Sequence, residues 1–376
     1  MKKYIKDFFN GIIHGSIKKK ILTILVLMIY IFILLICIIP LKVSSTSPGT
    51  ITSVATVIDI DGADVTNVKR KAYTVSVYTK TKASILEYWI SLLDKNTEMK
   101  IDKRENTIYT VSEEEKIDVI AKEQSIQDSL ITAYDTAKLK GYDVNLEKTY
   151  KGIKVACMPQ NYLKTGPESL QIGDIVTKIE DTEITNIDTF KEKVIEISDN
   201  YDLNIDKNAK RVEIIRNNNP LTLENCDVKS LVIIGRYIIN YNFNVPEYVF
   251  FEYYELDSTT AKPKFKINKA FSSGPSGGLI QTLFVYDCIT GGSIIKDNYI
   301  LGTGTISRDG SVGEIGGINQ KILTANYYQC KYFFVPTKNY DEALKKYYEI
   351  KDPSFVLVKV NTFMDAINFL ESEGGN

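Results

Sequence analysis

Residues 272–286 read SSGPSGGLIQTLFVY, a glycine-rich stretch followed by an apolar one. The apolar part predicts a helix that buries one face, formed by residues at three- and four-residue spacing, namely Leu279, Leu283 and Tyr286. Ser276 then lies on a turn at the N-terminus of this helix. Free backbone N–H groups and the positive end of the helix dipole at such a turn can stabilise an oxyanion. We predict that Ser276 is a nucleophile; the alternative is a serine that only caps the helix.

The residues that flank Ser276 predict a turn that binds the substrate backbone. Gly277 has no side chain, so another polypeptide can approach closely at this position. Gly274 and Pro275 shape the chain immediately before the serine. We therefore expect Gly274, Pro275 and Gly277 to contact the substrate.

A second segment, residues 302–325, reads GTGTISRDGSVGEIGGINQKILTA and ends in a predicted helix. Lys321 falls on the apolar stripe of this helix, which also carries Ile318, Ile322 and Ala325. A lysine held against a hydrophobic core is desolvated, so its pKa falls and the neutral amine can act as a base. We predict that Lys321 is the general base; the alternative is a side chain that reaches out to solvent.

Residues 21–41 form an uncharged apolar run that is long enough to span a bilayer as a helix. Several lysines precede this run, whereas only Lys42 follows it closely: Lys2, Lys3, Lys6, Lys18, Lys19 and Lys20. The positive-inside rule therefore predicts a cytoplasmic tail at 1–20 and a catalytic domain outside the cell, anchored in the cell membrane. A cleaved signal peptide is the alternative, but its apolar region is normally shorter.

This topology limits the chemistry of the exported part, because the only histidine of the chain is His14. A Ser-His-Asp triad, a Cys-His dyad and a histidine-ligated zinc site are then excluded outside the cell. We expect no metal and no cofactor, since the sequence also lacks a phosphate-binding G-x-x-x-x-G-K-[ST] loop. The 46 basic and 47 acidic residues nearly cancel, which argues against a nucleic-acid partner. A carboxylate-based hydrolase remains as a weaker alternative, without a D-T-G run to support it.

The hydrophobic pattern predicts an α+β fold in several parts. Tyr73–Thr79 alternates as a strand does, and 123–139 has the spacing of an amphipathic helix. Behind the tail and the membrane helix, the predicted parts are a β-rich segment with helices at 50–146, a compact β unit at 147–223 and an α/β domain at 225–372.

The unit at 147–223 resembles a PDZ domain of the bacterial protease-associated kind. The resemblance rests on the order of a loop, a Leu-x-x-Gly-Asp turn before a strand, a short helix opened by Asn186, and a closing strand. In such domains the loop that corresponds to 151–154 holds a peptide C-terminus through backbone N–H groups. The resemblance therefore implies that Gly152 and Ile153 bind the polypeptide substrate. The alternative is a small β domain that acts as a spacer.

The two segments around Ser276 and Lys321 resemble the proteolytic domain of Lon proteases. Gly-Pro-Ser-Gly-Gly at 274–278 is similar to the Gly-Pro-Ser-Ala-Gly nucleophile motif, and 303–321 is similar to the family's T-G-x…G-G-x-x-x-K segment. The resemblance implies that Ser276 is the nucleophile, Lys321 the base and Thr303 the partner that hydrogen-bonds the lysine. Two departures are a glycine in place of alanine at 277, which we expect to loosen the turn, and Ser273, where many members carry aspartate.

The order of membrane helix, PDZ-like unit and Lon domain is similar to that of membrane-bound PDZ–Lon proteins of Gram-positive bacteria. The resemblance implies an ATP-independent, membrane-anchored serine endopeptidase that cleaves extracellular or membrane-proximal polypeptides. The rings of soluble Lon proteins leave a homo-oligomer open by analogy. The alternative function is a catalytically silent adaptor that binds peptides through its PDZ-like unit.

Overall fold

The computed structural model describes residues 16–63, 71–101, 111–157, 168–200, 210–240, 249–268 and 274–373. His14, Ser273 and the part of the predicted tail before Ser16 lie outside these ranges. The chain divides into two compact units, Met1–Pro48 with Val77–Glu105 and Gly49–Ser76 with Asn106–Asn376.

Among the described elements, one to three strands separate each α-helix from the next. The helices are α1 Ile17–Ile38, α2 Ile85–Leu93, α3 Val111–Leu139, α4 Ile187–Asp199, α5 Val228–Asn240, α6 Gly278–Ile289, α7 Ile318–Tyr328, α8 Tyr340–Glu349 and α9 Phe363–Glu373. The strands are β1 Val43–Ser53, β2 Ile58–Ile60, β3 Lys71–Lys80, β4 Glu98–Ile101, β5 Asn145–Val155, β6 Ile175–Ile179, β7 Thr182–Glu183, β8 Lys210–Arg216, β9 Asn219–Cys226, β10 Phe250–Lys262, β11 Phe265–Ile267, β12 Tyr299–Gly302, β13 Thr305–Ile306, β14 Val312–Gly313, β15 Tyr332–Pro336 and β16 Val356–Val360.

The smaller unit contains the apolar helix α1 and the short helix α2. Among the described residues, α1 is the one helix long and apolar enough to cross a membrane, and none of its side chains is buried. It ends at Ile38, before Pro40, rather than at the predicted Leu41. Helix α2 begins with a capping box: Ser84 Oγ accepts from the Glu87 N–H, and the Glu87 carboxylate accepts from the Ser84 N–H. This reciprocal pair satisfies N–H groups that the first helical turn leaves free.

In the larger unit, one sheet has the strand order β16-β15-β12-β3-β1, and β12 runs parallel to both β15 and β3. The predicted strand at 73–79 is confirmed as part of β3. Helix α6 packs against α3, α9, β2, β12 and β13, and all of its residues are buried. The expectation of a single buried face on α6 is therefore wrong: elements of the fold surround the helix, as its uniformly apolar sequence allows.

A second sheet in the larger unit has the order β10-β5-β6-β8-β9 and is antiparallel throughout this path. The prediction that Asn186 opens a helix is confirmed, since its side chain accepts from the Thr189 N–H at 2.8 Å at the start of α4. The Gly-Asp turn before β6 buries Asp174, which binds Arg216 through two contacts of 2.8 and 2.7 Å. Helices α4 and α5 pack on each other and share a hydrophobic core with this sheet.

Packing crosses two of the predicted domain boundaries. Asn217 and Asn218 have positive φ angles and form a hairpin between β8 and β9, so the sheet continues beyond them. Helix α5 and the start of β10 lie in the same core as β5, β6 and β8. The core therefore runs across the boundary predicted between 223 and 225. Helix α3 packs on α6 in the larger unit, across the boundary predicted at 146.

The segment between β5 and β10 leaves and rejoins the sheet at neighbouring positions. Val155 at the end of β5 pairs with Phe250 at the start of β10. Immediately beyond this pair, the Ala156 N–H donates to the Val249 carbonyl oxygen at 2.9 Å. The described parts of the PDZ-like region after β5 are thus an insertion into one antiparallel strand pair.

Candidate active site

Ser276 lies in the loop that leads into α6, whose N-cap residue is Gly277. The loop begins at Gly274, which has φ +82°, a conformation that glycine adopts without steric strain. Two groups from the chain after β12 bind the carbonyl oxygen of Ser276: the Gly304 N–H at 2.8 Å and the Thr303 hydroxyl at 3.0 Å. The backbone of the serine is therefore fixed against the end of strand β12.

Lys321 reaches this loop from α7, which begins after Gly317 in the left-handed conformation. Its side chain is 2% exposed, so the prediction that Lys321 faces the core is confirmed and the alternative of a solvent-directed side chain is wrong. The Nζ atom lies 3.0 Å from Ser276 Oγ and 2.9 Å from Thr303 Oγ1. Both distances are within hydrogen-bonding range.

Thr303 connects the serine and the lysine through one hydroxyl group. Its Oγ1 donates its hydrogen to the Ser276 carbonyl oxygen, which leaves a lone pair to accept an N–H from Lys321. A neutral amine that donates to Thr303 can direct its own lone pair towards Ser276 Oγ. Thr303 is fully buried, so water does not compete for this arrangement.

Burial and, to a smaller extent, the positive charge of Lys122 together lower the pKa of the Lys321 amine to about 7. Lys122 is itself buried on α3, where burial lowers its pKa to about 8. Desolvation disfavours the ammonium form of a lysine, which explains both directions. At neutral pH a substantial fraction of Lys321 is therefore an uncharged amine.

Backbone N–H groups at the turn are also open to a ligand. In the part of the chain that the structure describes, the N–H groups of Ser276 and Gly277 donate to no protein acceptor. By contrast, the N–H groups of Gly274 and Gly278 donate to Asp118 O and Pro275 O, both at 3.2 Å. Two adjacent free donors at a helix N-terminus can stabilise negative charge on an oxygen bound there.

The packing around Gly277 gives a second reason for glycine at this position, and the expectation that it loosens the turn stays a prediction. A Cβ atom at this position would lie 2.8 Å from Thr74 Cγ2, closer than real Cβ contacts allow. The methyl group of Thr74, on β3, therefore fills the space that an alanine side chain would need. The φ angle of Gly277 is −97°, so packing and not backbone conformation makes glycine necessary here.

Gly152 and Ile153 do not form a peptide-binding loop, contrary to the prediction. Both residues lie inside β5, where they pair with Tyr253 and Glu252 of β10, and Ile153 also pairs with Val176 of β6. A Cβ atom on Gly152 would lie 2.4 Å from the Val176 carbonyl oxygen. Because strands of this chain occupy both edges of β5, no edge is free here for an added peptide strand.

Helix α3 supplies site residues that the sequence did not single out. Ser125 Oγ donates to the Pro275 carbonyl oxygen at 3.0 Å, which holds the loop that carries Ser276. Lys122 precedes Ser125 by three residues and so shares its face of α3. A signal did exist, because Lys122 precedes Ile126 by four residues and thus lies on the apolar stripe of α3.

Residues 266–368 match the family model of the Lon protease (S16) C-terminal proteolytic domain. This part of the chain is therefore a Lon-type serine peptidase domain, and Ser276, Thr303 and Lys321 all lie within it. The match begins later than the predicted boundary at 225. A comparison with curated protein sequences finds no match to this chain.

Proposed function

We propose that this chain is a membrane-anchored, ATP-independent serine endopeptidase that uses a Ser276–Lys321 dyad. The observation that carries the proposal is the 3.0 Å separation of Lys321 Nζ and Ser276 Oγ at a site where the amine is buried and its pKa lies near 7. A general base works best when its pKa lies near the operating pH. The neutral amine is then abundant enough to take the serine proton.

The reaction proceeds by acyl transfer in two halves. Ser276 Oγ attacks the peptide carbonyl carbon while its proton moves to Lys321 Nζ, and the N–H groups of Ser276 and Gly277 stabilise the oxyanion. The tetrahedral intermediate collapses as Lys321 returns the proton to the leaving amine, which leaves an ester on Ser276. Water then attacks this ester with Lys321 again as base, and the released Oγ regains its proton. Thr303 keeps the amine aligned in both halves.

Other parts of the chain support the membrane anchor and the independence from ATP. The apolar helix α1, with Lys18, Lys19 and Lys20 at its start, supports a single span with the peptidase domain outside the cell. The sequence has no phosphate-binding G-x-x-x-x-G-K-[ST] loop, which supports hydrolysis without nucleotide. Such an enzyme suits flexible or membrane-proximal polypeptides, since it has no motor to unfold stable ones.

The test compares the full-length protein in detergent with its Ser276→Ala variant on a pool of unstructured peptides. We expect the wild type to release new N-termini, detected by mass spectrometry, and the variant to release none. Thermal melting should be the same for both proteins. Cleavage by Ser276→Ala at the wild-type rate, or an intact pool in both samples, would reject the peptidase; a silent adaptor would then be the better description.

A further inference from the structure

Helix α3 lies along the loop that carries Ser276 and holds it through several groups on one helical face. The hydrogen bonds run from the Gly274 N–H to the Asp118 carbonyl oxygen, from Ser125 Oγ to the Pro275 carbonyl oxygen and from Ser129 Oγ to the Gly278 carbonyl oxygen, at 3.2, 3.0 and 3.0 Å. Residues 118, 122, 125 and 129 share this face by their spacing of four, three and four residues. Lys122 is therefore directed at the nucleophile loop from between two residues that contact it.

Lys122 differs from other lysines of the larger unit by its combination of burial and missing partners. It is 6% exposed, and among the described residues it makes no hydrogen bond and no ion pair. Lys154 is similarly buried at 8%, but it pairs with Glu123 at 3.2 Å and lies 4.4 Å from the centre of the Tyr253 ring. A buried ammonium without a counter-ion is costly, and proteins normally pair such a group.

Burial lowers the pKa of both Lys122 and Lys321, and it lowers that of Lys321 more. The pKa of Lys122 is lowered to about 8, so most of it carries a charge at pH 7, whereas the pKa of Lys321 is lowered to about 7. One amine can thus serve as a base while the other remains a cation. The positive charge of Lys122 also contributes to the lowered pKa of Lys321.

We propose that Lys122 forms an acidic-residue subsite, in which its ammonium binds the carboxylate of an aspartate or glutamate that flanks the scissile bond of the substrate. The proposal rests on the proposed function, because it names the substrate class of the same site. A substrate carboxylate supplies the counter-ion that Lys122 lacks among the described residues. A glutamine at the same position leaves the ammonium buried without a charged partner, so it binds less well.

The experiment measures binding separately from hydrolysis. Full-length Ser276→Ala protein in detergent is immobilised and offered pooled unstructured peptides, each present in a glutamate form and a matched glutamine form. Mass spectrometry gives the ratio of the two forms that the protein retains. We expect at least one group of sequences to be retained about tenfold better in the glutamate form, which is the effect of one charge-assisted hydrogen bond.

The variants assign this preference to one side chain. Lys122→Met in the Ser276→Ala background should bring the retained ratio to about one, since methionine keeps the length of the side chain and removes its charge. Lys138→Met is the matched control: it removes an exposed lysine of the same helix, about 24 Å away along the axis. This control should keep the tenfold preference. Lys122→Gln provides a second variant if circular dichroism shows that Lys122→Met is misfolded.

Two results would overturn the subsite. One is a glutamate-to-glutamine ratio near one in the Ser276→Ala protein, and the other is a preference that persists in Lys122→Met. Hydrolysis by the Ser276-containing protein is scored separately. If it fails while glutamate retention depends on Lys122, the peptidase proposal is rejected and the acidic subsite stands.

Discussion

Two glycine turns of the larger unit each contact a basic side chain, with opposite electrostatic results. In the turn at 171–174, the Asp174 carboxylate pairs with the Arg216 guanidinium through two short contacts. At the turn at 274–278, the hydrogen-bond partners of Lys321 among the described residues are the hydroxyl groups of Ser276 and Thr303. The first turn neutralises its cation, whereas the second leaves the amine without a negative partner.

The difference teaches how a folded chain makes a lysine reactive. A carboxylate within a few ångströms favours the charged form of a base and so raises its pKa. Two factors determine the pKa of Lys321, its burial and the charge of Lys122, and both lower that pKa. Hydroxyl partners orient the amine without stabilising the ammonium form. The Asp174 carboxylate balances the charge of Arg216, whereas the surroundings of Lys321 favour its neutral amine.

The strongest test of this contrast is Lys321→Arg, for which we expect a loss of turnover of about 10⁴-fold. Guanidinium stays protonated at any workable pH, so it cannot accept the serine proton. Turnover is measured on a peptide that the wild type cleaves, together with circular dichroism. Lys331→Arg, at an exposed lysine ten residues further along, serves as the control and should be neutral. Normal turnover in Lys321→Arg would show that Lys321 is not the base.

Asp174→Ala should instead affect stability, because it leaves Arg216 without its counter-charge. We expect the free energy of unfolding to fall by about 3–5 kcal/mol, as for other half-deleted buried ion pairs. Turnover per folded molecule should not change. Urea unfolding measures the loss, and Asp181→Ala, at a nearby exposed aspartate, should alter stability by less than about 0.5 kcal/mol. A folded Asp174→Ala protein without turnover would show that the two turns are not independent.

Gly277→Ala tests whether packing or conformation requires glycine in the catalytic turn. The new methyl group would meet Thr74 Cγ2, so we expect a loss of about 1–3 kcal/mol in stability. Adding Thr74→Ser removes that methyl group and should recover much of the loss. Gly173→Ala provides the contrast: its φ of +95° strains any L-residue, so Thr74→Ser should not rescue it. If Gly277→Ala and the double variant with Thr74→Ser have the same stability, the result would contradict the proposed contact.

The smallest expected effect is a pH dependence, and its sign follows from the lowered pKa of Lys321. The amine is protonated below a pH of about 7, where it cannot act as a base, and neutral above it. Initial rates should therefore rise about tenfold from pH 6 to pH 8 on a peptide without titratable groups. Lys122→Met should move the midpoint to higher pH, because it removes a positive charge that lowers the pKa of Lys321. A flat profile, or rates that fall over this interval, would contradict the assignment of the base.

Local periodicity predicted the parts of the site that a single segment determines. The spacing in α7 was enough to direct Lys321 at the core, because the helical repeat fixes which residues share a face. The glycines around Ser276 likewise indicated a turn before an apolar helix. The contribution of α3 was not predicted: Ser125 and Pro275 are 150 residues apart in the chain. No local pattern encodes a contact at that separation.

The failure at Gly152 has a similar origin. Its sequence suits both a loop and a strand interior, and only the pairing of β5 with β10 decides between them. The partner strand begins at Phe250, far along the chain, and a strand pattern does not reveal which edges will be occupied. Resemblance to a PDZ domain therefore predicted the order of elements correctly around α4 but misassigned the free edge.

The insertion between β5 and β10 has a consequence for how such a chain can evolve or be engineered. Its two ends meet at Val155 and Phe250, which pair across the sheet, so the intervening segment behaves as a cassette with adjacent ends. Val155, Phe250 and the segment between them share one hydrophobic core, so an exchanged cassette keeps its adjacent ends but must cover the same apolar residues. The segment between Val155 and Phe250 can thus vary in sequence while the residues around Ser276 and Lys321 stay the same.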